Sequence, residues 1–428
     1  MAKDTGSRRI RPLCACMMAT AVSISFNAIA EPIRFSTGFD STLSDNAGQS
    51  STNEQTDLES QITLGVDHTT DPGRCNSDLS ARVAYSYWLE ETFDPETYAS
   101  ADFFGDCAIG GGLVWQASDY LRDVIQDSRA NETPTNKTRK NIFRTGPVWT
   151  IRLGAVNQLV LAAEYENTEF SEPEDEDSDR YIGTVGWDHF FSPSFTAGLR
   201  ASADRVELDT DEEIDRESGV VTFSKVWPAT RVSGSAGYNR IETDLITGSR
   251  EADGFAGNLD LERDINPTTQ LIIEASQELT DQTSDFDVRF GEFVFNLEQT
   301  SAVEVSAVRA GVSTEFTRGS TLGFNVFANR SDYIDVDLEE ERTGVDLNYR
   351  RPVTPQMTAT LLTAYEYLNY ADEDTADVLF RINAGIDFQL NRAMSFFGRV
   401  GHERRDSEVD FREFDENWVS IGVNYQFR

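Results

Sequence analysis

Trp418-Val419-Ser420-Ile421-Gly422-Val423-Asn424-Tyr425-Gln426-Phe427-Arg428 alternates without a break. Val419, Ile421, Val423, Tyr425 and Phe427 fall on one face, and Trp418, Ser420, Gly422, Asn424 and Gln426 on the other. That is the period of a β-strand with one apolar and one polar side. Upstream, Val378, Phe380, Ile382, Ala384, Ile386 and Phe388 oppose Arg381, Asn383, Asp387 and Gln389. Leu159, Leu161, Ala163 and Tyr165 oppose Gln158, Glu164 and Glu166, and Phe195, Ala197, Leu199 and Ala201 oppose Arg200 and Asp204. Two such stretches joined by a tight turn and followed by an acidic connection recur about ten times, which is how a transmembrane barrel reads. A soluble sandwich with one wet face is the alternative, but soluble sheets rarely sustain this pattern over so many hairpins. The expected fold is all-β: a transmembrane antiparallel up-and-down β-barrel of about 20 strands, within roughly 18 to 22.

The turns support this. Gly154-Ala155-Val156-Asn157, Ser192-Pro193-Ser194, Trp227-Pro228-Ala229, Asn266-Pro267-Thr268, Arg318-Gly319-Ser320, Thr354-Pro355-Gln356 and Asn391-Arg392-Ala393 each carry turn residues, and proline is excluded from the interior of a paired strand. Between these turns lie the acidic connections Glu172 to Asp177, Asp209 to Asp215, Asp335 to Glu341 and Asp372 to Asp377. They read as solvated external loops. The sharper reading is divalent-cation binding that bridges to phosphorylated lipid or acidic polysaccharide, although none has EF-hand spacing.

Lys3, Arg8, Arg9 and Arg11, an apolar stretch from Leu13 to Phe26 and Ala28-Ile29-Ala30 predict a cleaved signal peptide over residues 1–30, leaving the barrel to residues 31–428. Arg11 and Pro12 stand where a twin-arginine signal wants apolar residues. No later run is long and apolar enough for a spanning helix, which needs about 20 residues. The mean hydropathy of −0.44 suits a barrel that shows lipid only every second side chain. The net charge is −37, and nucleic acid is excluded because phosphate binding needs a basic surface. Cys14 and Cys16 leave with the signal peptide; Cys75 and Cys107 suffice for one disulfide, with Cys75 expected near a turn and Cys107 within the next hairpin, which leaves their pairing open.

Three segments need separate reading. Ser118 to Asp127 fits a short amphipathic helix through Tyr120, Leu121, Val124 and Ile125, but its place after Trp115 favours a strand. Gln282 to Gln299, with Phe286, Phe290, Phe293, Phe295, Arg289 and Glu292, either enters the lumen as a constriction or extends its flanking strands as a hairpin above the membrane; the hairpin is the preferred expectation. Phe190, Phe191, Trp227, Tyr333 and Tyr370 near strand ends suit interfacial girdles.

The C-terminal stretch, ending in Tyr425 and Phe427, resembles the strand signature read by the bacterial outer-membrane barrel assembly machinery, with one Arg after the Phe. Ile33 to Thr42, Phe143-Arg144-Thr145-Gly146-Pro147, Arg180-Tyr181 leading into Gly186-Trp187, and Ala236-Gly237-Tyr238-Asn239-Arg240 resemble the β-barrel porins encoded beside exopolysaccharide and exosortase (PEP-CTERM) genes. The resemblance implies the outer membrane of a Gram-negative bacterium and a role in polysaccharide export or surface structure, and it brings no catalytic motif or cofactor.

The chemistry of the chain points the same way. His68, His189 and His402 are far apart and lack the close ligand spacing of a zinc site. No nucleophile elbow or phosphate loop is present. His402 with Glu403, Asp406 and Ser407 is the one cluster that a barrel enzyme would use. The inward register is expected to hold Arg200, Asp204, Asp260, Glu262, Glu274, Arg381 and Asp387, charges that would set an ion preference, cationic on the acid excess. The expectation is a porin-like channel with lipid and the assembly machinery as partners, and polysaccharide or divalent cations as ligands. The alternative is a non-conducting structural or surface-attachment barrel.

Overall fold

The computed structural model describes residues 33–427 apart from 71, 173–175, 211, 246–247, 291–292, 298–301, 335 and 337. The expected signal peptide, Pro173 to Asp175 of the first acidic connection and Glu292 therefore lie outside the described residues. The strands are β1 (Arg34–Ser44), β2 (Asp57–Thr69), β3 (Cys75–Trp88), β4 (Glu96–Gly110), β5 (Leu113–Ile125), β6 (Lys137–Arg152) and β7 (Asn157–Phe170). Then come β8 (Ser178–Ser192), β9 (Phe195–Leu208), β10 (Glu213–Trp227), β11 (Thr230–Leu245), β12 (Gly248–Asn266), β13 (Thr269–Asp281) and β14 (Ala302–Glu315). The chain ends with β15 (Thr321–Tyr333), β16 (Leu338–Thr354), β17 (Met357–Tyr370), β18 (Thr375–Gln389), β19 (Met394–Ser407) and β20 (Phe414–Gln426).

Each strand pairs antiparallel with its sequence neighbours, and β1 pairs with β20 from Ser36 opposite Gln426 to Ser44 opposite Trp418, so the sheet closes into a 20-stranded barrel. At ~4.8 Å between strands and a tilt of roughly 40°, such a wall is about 40 Å across. Closure leaves the start of β1 and the end of β20 at one rim, the near rim, together with every Gly-, Pro- or Asn-bearing turn named above. In the two-residue turn after β4, Gly110, Gly111 and Gly112 all have positive φ, and a Cβ on Gly112 would lie 2.1 Å from the Thr150 carbonyl oxygen.

The period-2 reading holds around the wall. Phe39, Leu64, Val83, Val185, Leu199, Val221, Val308, Ile386 and Val419 are exposed on the outer face, and among the described residues no helix is long and apolar enough to cross a membrane. Residues 118–125 belong to β5 as a strand. Phe191 and Trp227 are exposed near the near rim. Tyr333 and Tyr370 depart from the girdle expectation: they are 1% and 2% exposed and point into the barrel at the far rim. An aromatic ring at a strand end satisfies either face by propensity alone, and here inward partners decide.

The buried core lies inside the barrel at its far end. One cluster gathers Val206, Leu208, Ile214, Ile241, Leu279 and Ala302; the other holds Phe286, Phe293, Phe295, Leu297, Val303 and Tyr333. A further departure concerns the acidic connections. Most are short, and their acids sit on strand ends and pair with arginines, as Asp215 does with Arg205 at 2.7 Å and Asp377 with Arg405 at 2.5 Å.

Cys75 and Cys107 stand directly opposite in the β3–β4 ladder, near the near rim, and form a disulfide. Thiol labelling of denatured, unreduced chain lacking residues 1–30 is expected to find no free thiol, and labelling after reduction to find both. Labelling of Cys75 or Cys107 before reduction would contradict the pairing.

Candidate functional site

The connection from β13 to β14 does not extend above the wall as the preferred expectation had it. It turns inward. Phe286 opens a single helical turn, α1 (Phe286–Arg289), and packs with Phe290, Phe293 and Phe295 against Val303, Val305 and Tyr333, with Val124 and Phe170 supplied by the opposite wall. Burying each such ring is worth about 1.5–3 kcal/mol relative to leaving it in water, which a solvent-exposed hairpin would forfeit. The Asn296 N–H donates to the Tyr333 hydroxyl at 2.7 Å, and the Leu297 N–H donates to the Gln126 carbonyl at 2.9 Å.

The stem of this loop is held by ions. The β12–β13 ladder ends at Gly257 opposite Gln277; beyond it β12 continues on β11 alone while the end of β13 inclines into the lumen. There Asn239 Nδ2 of β11 donates to the Leu279 carbonyl at 2.9 Å, and Arg180 of β8 reaches Asp281 at 2.7 Å. Arg180 also meets Glu166 at 3.0 Å and Asp204 at 2.8 Å, and Asp204 receives Arg216 Nε at 2.9 Å. Lys140 donates to the carbonyls of Gln282 (3.0 Å) and Ser284 (2.7 Å) and pairs with Asp287 at 3.0 Å. Arg289 pairs with Glu278 (2.6 Å) and Asp285 (3.1 Å).

A second inward loop, residues 126–136, crosses from β5 and β6 to the wall of β16–β19. Arg129 pairs with Glu340 at 2.9 Å, Asp372 at 2.7 Å and Glu373 at 2.7 Å. Arg405 donates to the carbonyls of Arg129 (2.7 Å) and Ala130 (3.1 Å), and Glu132 pairs with Arg381 at 2.7 Å. Arg129 and Arg412 lie over the Tyr370 ring at 5.0 and 4.8 Å. These contacts set the loop carboxylates. Hydrogen bonds from Arg129 hold Asp372 below the ordinary Asp range. Burial alone would raise Glu132 and Asp285, but Arg381 beside the first and Arg289 and Arg144 beside the second hold both low.

The candidate luminal residues divide accordingly. Arg200 is exposed on the inward register, and Asp260, opposite Glu274, shares that face with Glu262. Glu262 pairs with Arg231 at 2.5 Å, and Asp387 lies 3.9 Å from Arg399. Asp204 and Arg381 anchor the two inward loops instead of lining the open lumen. Arg289 braces α1. Tyr425 and Phe427 are on the outer face at the near rim, their rings 5.0 Å apart. The His402 cluster is split: His402 and Asp406 alternate to the outer face, where His402 Nδ1 lies 3.0 Å from Asn417 Oδ1, while Glu403 and Ser407 face inward. The sequence reading missed Arg129, Lys140, Arg180 and Arg405; the available signal was basic residues isolated on the inward register or in the 126–136 loop of an acidic chain.

Residues 342–427, from within β16 through β20, match the family model described as "Putative beta-barrel porin 2". Over this segment the chain is similar to that family. No curated protein matches the chain. Among solved structures, the FrpB iron transporter of Neisseria meningitidis (F5-1 variant, apoprotein) is similar at 9% identity, covering 92% of this chain and 81% of its own, with a TM-score of 0.49. The siderophore receptor PirA of Pseudomonas aeruginosa gives 9% identity, coverage of 93% and 80%, and 0.46. A loop-deletion mutant of OmpT, an outer membrane protein of Vibrio cholerae, gives 9%, 92% and 99%, and 0.39. The barrel here thus joins a closed wall to two inward loops at the far rim.

Two tests follow from the anchors. Arg180→Met leaves Asp281 buried without its ion-pair partner, and Glu166 and Asp204 with only Arg144 and Arg216, and is expected to cost about 3–5 kcal/mol, against at most about 1 kcal/mol for Arg289→Met at the half-exposed pair. Hydrogen exchange in residues 278–290 reads the difference; equal effects would refute the ranking. The depressed carboxylates Glu132, Asp285 and Asp372 contribute stability that is complete above their ordinary values of 4.5, 3.8 and 3.8 and is lost as pH falls through their lower folded values. Proteolysis within both inward loops should therefore rise below pH 4, measured with an acid-active protease against a pH 7 hydrogen-exchange baseline, while the strands stay protected. Unchanged protection down to pH 2 would contradict it.

Proposed function

We propose that this protein is an outer-membrane porin-like channel, with its near rim in the periplasm and its two inward loops narrowing the mouth that faces the cell exterior. One observation carries this reading: a lumen roughly 40 Å across at the backbone, walled on its inner face by polar and charged side chains, is crossed among the described residues at one end, and by loops held through side chains. Short turns at the rim where β1 starts and β20 ends, and longer loops opposite, are the polarity of outer-membrane barrels. Tyr425 and Phe427 would then present the assembly signal, and the outer face would meet lipid. Charges along the wall are mixed, as in Arg231 with Glu262 and Arg399 beside Asp387, so ion preference would be set at the constriction more than along the tube.

The link to exopolysaccharide export or surface structure belongs to the same proposal and rests on the sequence resemblance. Acids on the far rim that remain exposed, such as Glu213 and Asp215, would meet divalent cations or polysaccharide there. One observation favours the structural alternative. The inward loops touch each other through Leu297 and Gln126, so a barrel with both in place could serve as a sealed scaffold. The separation of His402 from Ser407 across the wall supports a non-enzymatic role.

Planar-bilayer recording separates the two readings. The folded wild type is expected to give stepwise, weakly cation-selective currents, and a variant with residues 284–299 replaced by a short Gly-Ser linker to give currents several-fold larger. Silence from both folded proteins would establish the structural barrel.

A further inference from the structure

Beneath the stem of the 282–301 loop lies a cavity of about 170 Å³, opening down into the lumen. Ser202, Ser218 and Asn239 of β9–β11 form its wall, and Ser284 and Arg289 of the loop its roof. Two of its polar atoms have no partner among the described residues: Asn239 Oδ1 and Ser284 Oγ, on side chains 3% and 5% exposed. Buried polar groups are ordinarily satisfied, and each exception in a polar cavity marks a place for a bonding guest.

The chemistry of the guest follows from the rest of the lining. Arg144, Arg180, Arg216 and Arg289 bring guanidinium donors, but Glu166, Glu278 and Asp285 in the wall, with Asp204 and Asp281 behind it, already neutralise them. A net anion would compete with five fixed carboxylates; a cation would meet the guanidiniums. An apolar guest would leave Asn239 and Ser284 stranded. A guest whose every polar group both donates and accepts fits all of them, and a sugar hydroxyl does so. The space would take about five or six waters at ~30 Å³ each, or in their place one pyranose ring.

We propose that this cavity is a subsite for a single uncharged, hydroxyl-rich sugar unit of a saccharide in the lumen, seated between the β9–β11 wall and the loop that narrows the mouth. The inference rests on the channel reading for the route by which the saccharide arrives. It makes the loop stem part of the recognition surface, because Ser284 and Arg289 belong to the loop while Asn239 belongs to the wall.

The test is titration calorimetry on the folded full barrel in detergent with gluco-, manno- and galacto-hexaose as uncharged probes, and with oligogalacturonate and inorganic phosphate as charged ones. At least one uncharged probe is expected to bind, and Ser218→Phe, which fills the cavity from β10 without touching an ion pair, to weaken it by about tenfold or more. Ala256→Leu fills the same space from β12 and is expected to act likewise, so one variant that folds poorly leaves the other to decide. Absence of binding across the uncharged panel, tighter binding of the charged probes, or wild-type affinity in a folded filling variant would overturn the subsite. Calorimetry needs no current: binding without conductance would sink the channel reading alone, and conductance without binding would sink the subsite alone.

Discussion

A guanidinium that is 2% exposed, shared among Glu166, Asp204 and Asp281, fixes the geometry of the far end of this barrel. Three of those residues, Arg180 included, belong to consecutive wall strands β7–β9; Asp281 belongs to the end of β13. Bringing them together requires β13 to leave β12 and cross inside the wall. Once it does, the loop that follows has only the lumen to enter, and its phenylalanines find Val303, Val305 and Val124 there. The hydrophobic cluster supplies the larger favourable energy, since a buried ion pair roughly breaks even against its own desolvation. The ion cluster supplies position, because a guanidinium with three carboxylates around it tolerates little displacement of any of them.

The wall was legible and the partition was not, for a physical reason. Strand periodicity and turn chemistry are local: Val419 to Phe427 or Trp227-Pro228-Ala229 declares itself within a few residues. The two inward loops depend on contacts such as Arg129 with Asp372 and Lys140 with Asp287, between residues far apart in the chain. Nothing local distinguishes Asp372 in a solvated loop from Asp372 clamping an arginine. Tyr333 and Tyr370 show the same limit, since their burial is decided by Asn296, Arg405 and Arg412 from elsewhere. The phenylalanines of the 282–301 loop marked that loop as unfit for water, and that much was readable, but the direction it turned depended on its partners. The split of the His402 cluster, by contrast, follows from period 2 alone, since residues 402 and 406 cannot share a face with 403 and 407.

Charge behaves differently inside and out. A chain of −37 suggests an acidic pore, yet the inner wall answers its acids with arginines: Glu166 with Arg180, Glu366 with Arg381, Glu262 with Arg231. A wide tube with interleaved charges has little net field along its axis. Field focuses where low-dielectric walls approach, which here means at the two loops. That concentration of field falls on the segment least supported by the ladder.

That concentration gives the molecule two levels of stability. The wall is held by strand pairings that close on themselves, and no strand can be released without breaking two ladders. The partition is held by side chains, by a few loop hydrogen bonds and by ion pairs, so it can open as a unit while the wall persists. The β12–β13 seam is where the levels meet: above Gly257 β13 leaves β12 but stays laddered to β14 as far as Asp281 opposite Ala302, and the loop that follows belongs to the partition. A displacement of the loop therefore starts beyond Asp281, where the β13–β14 ladder ends. It would move Ser284 and Arg289 away from Asn239 and Ser218 together, so the position of the loop and the shape of the cavity below it are one variable.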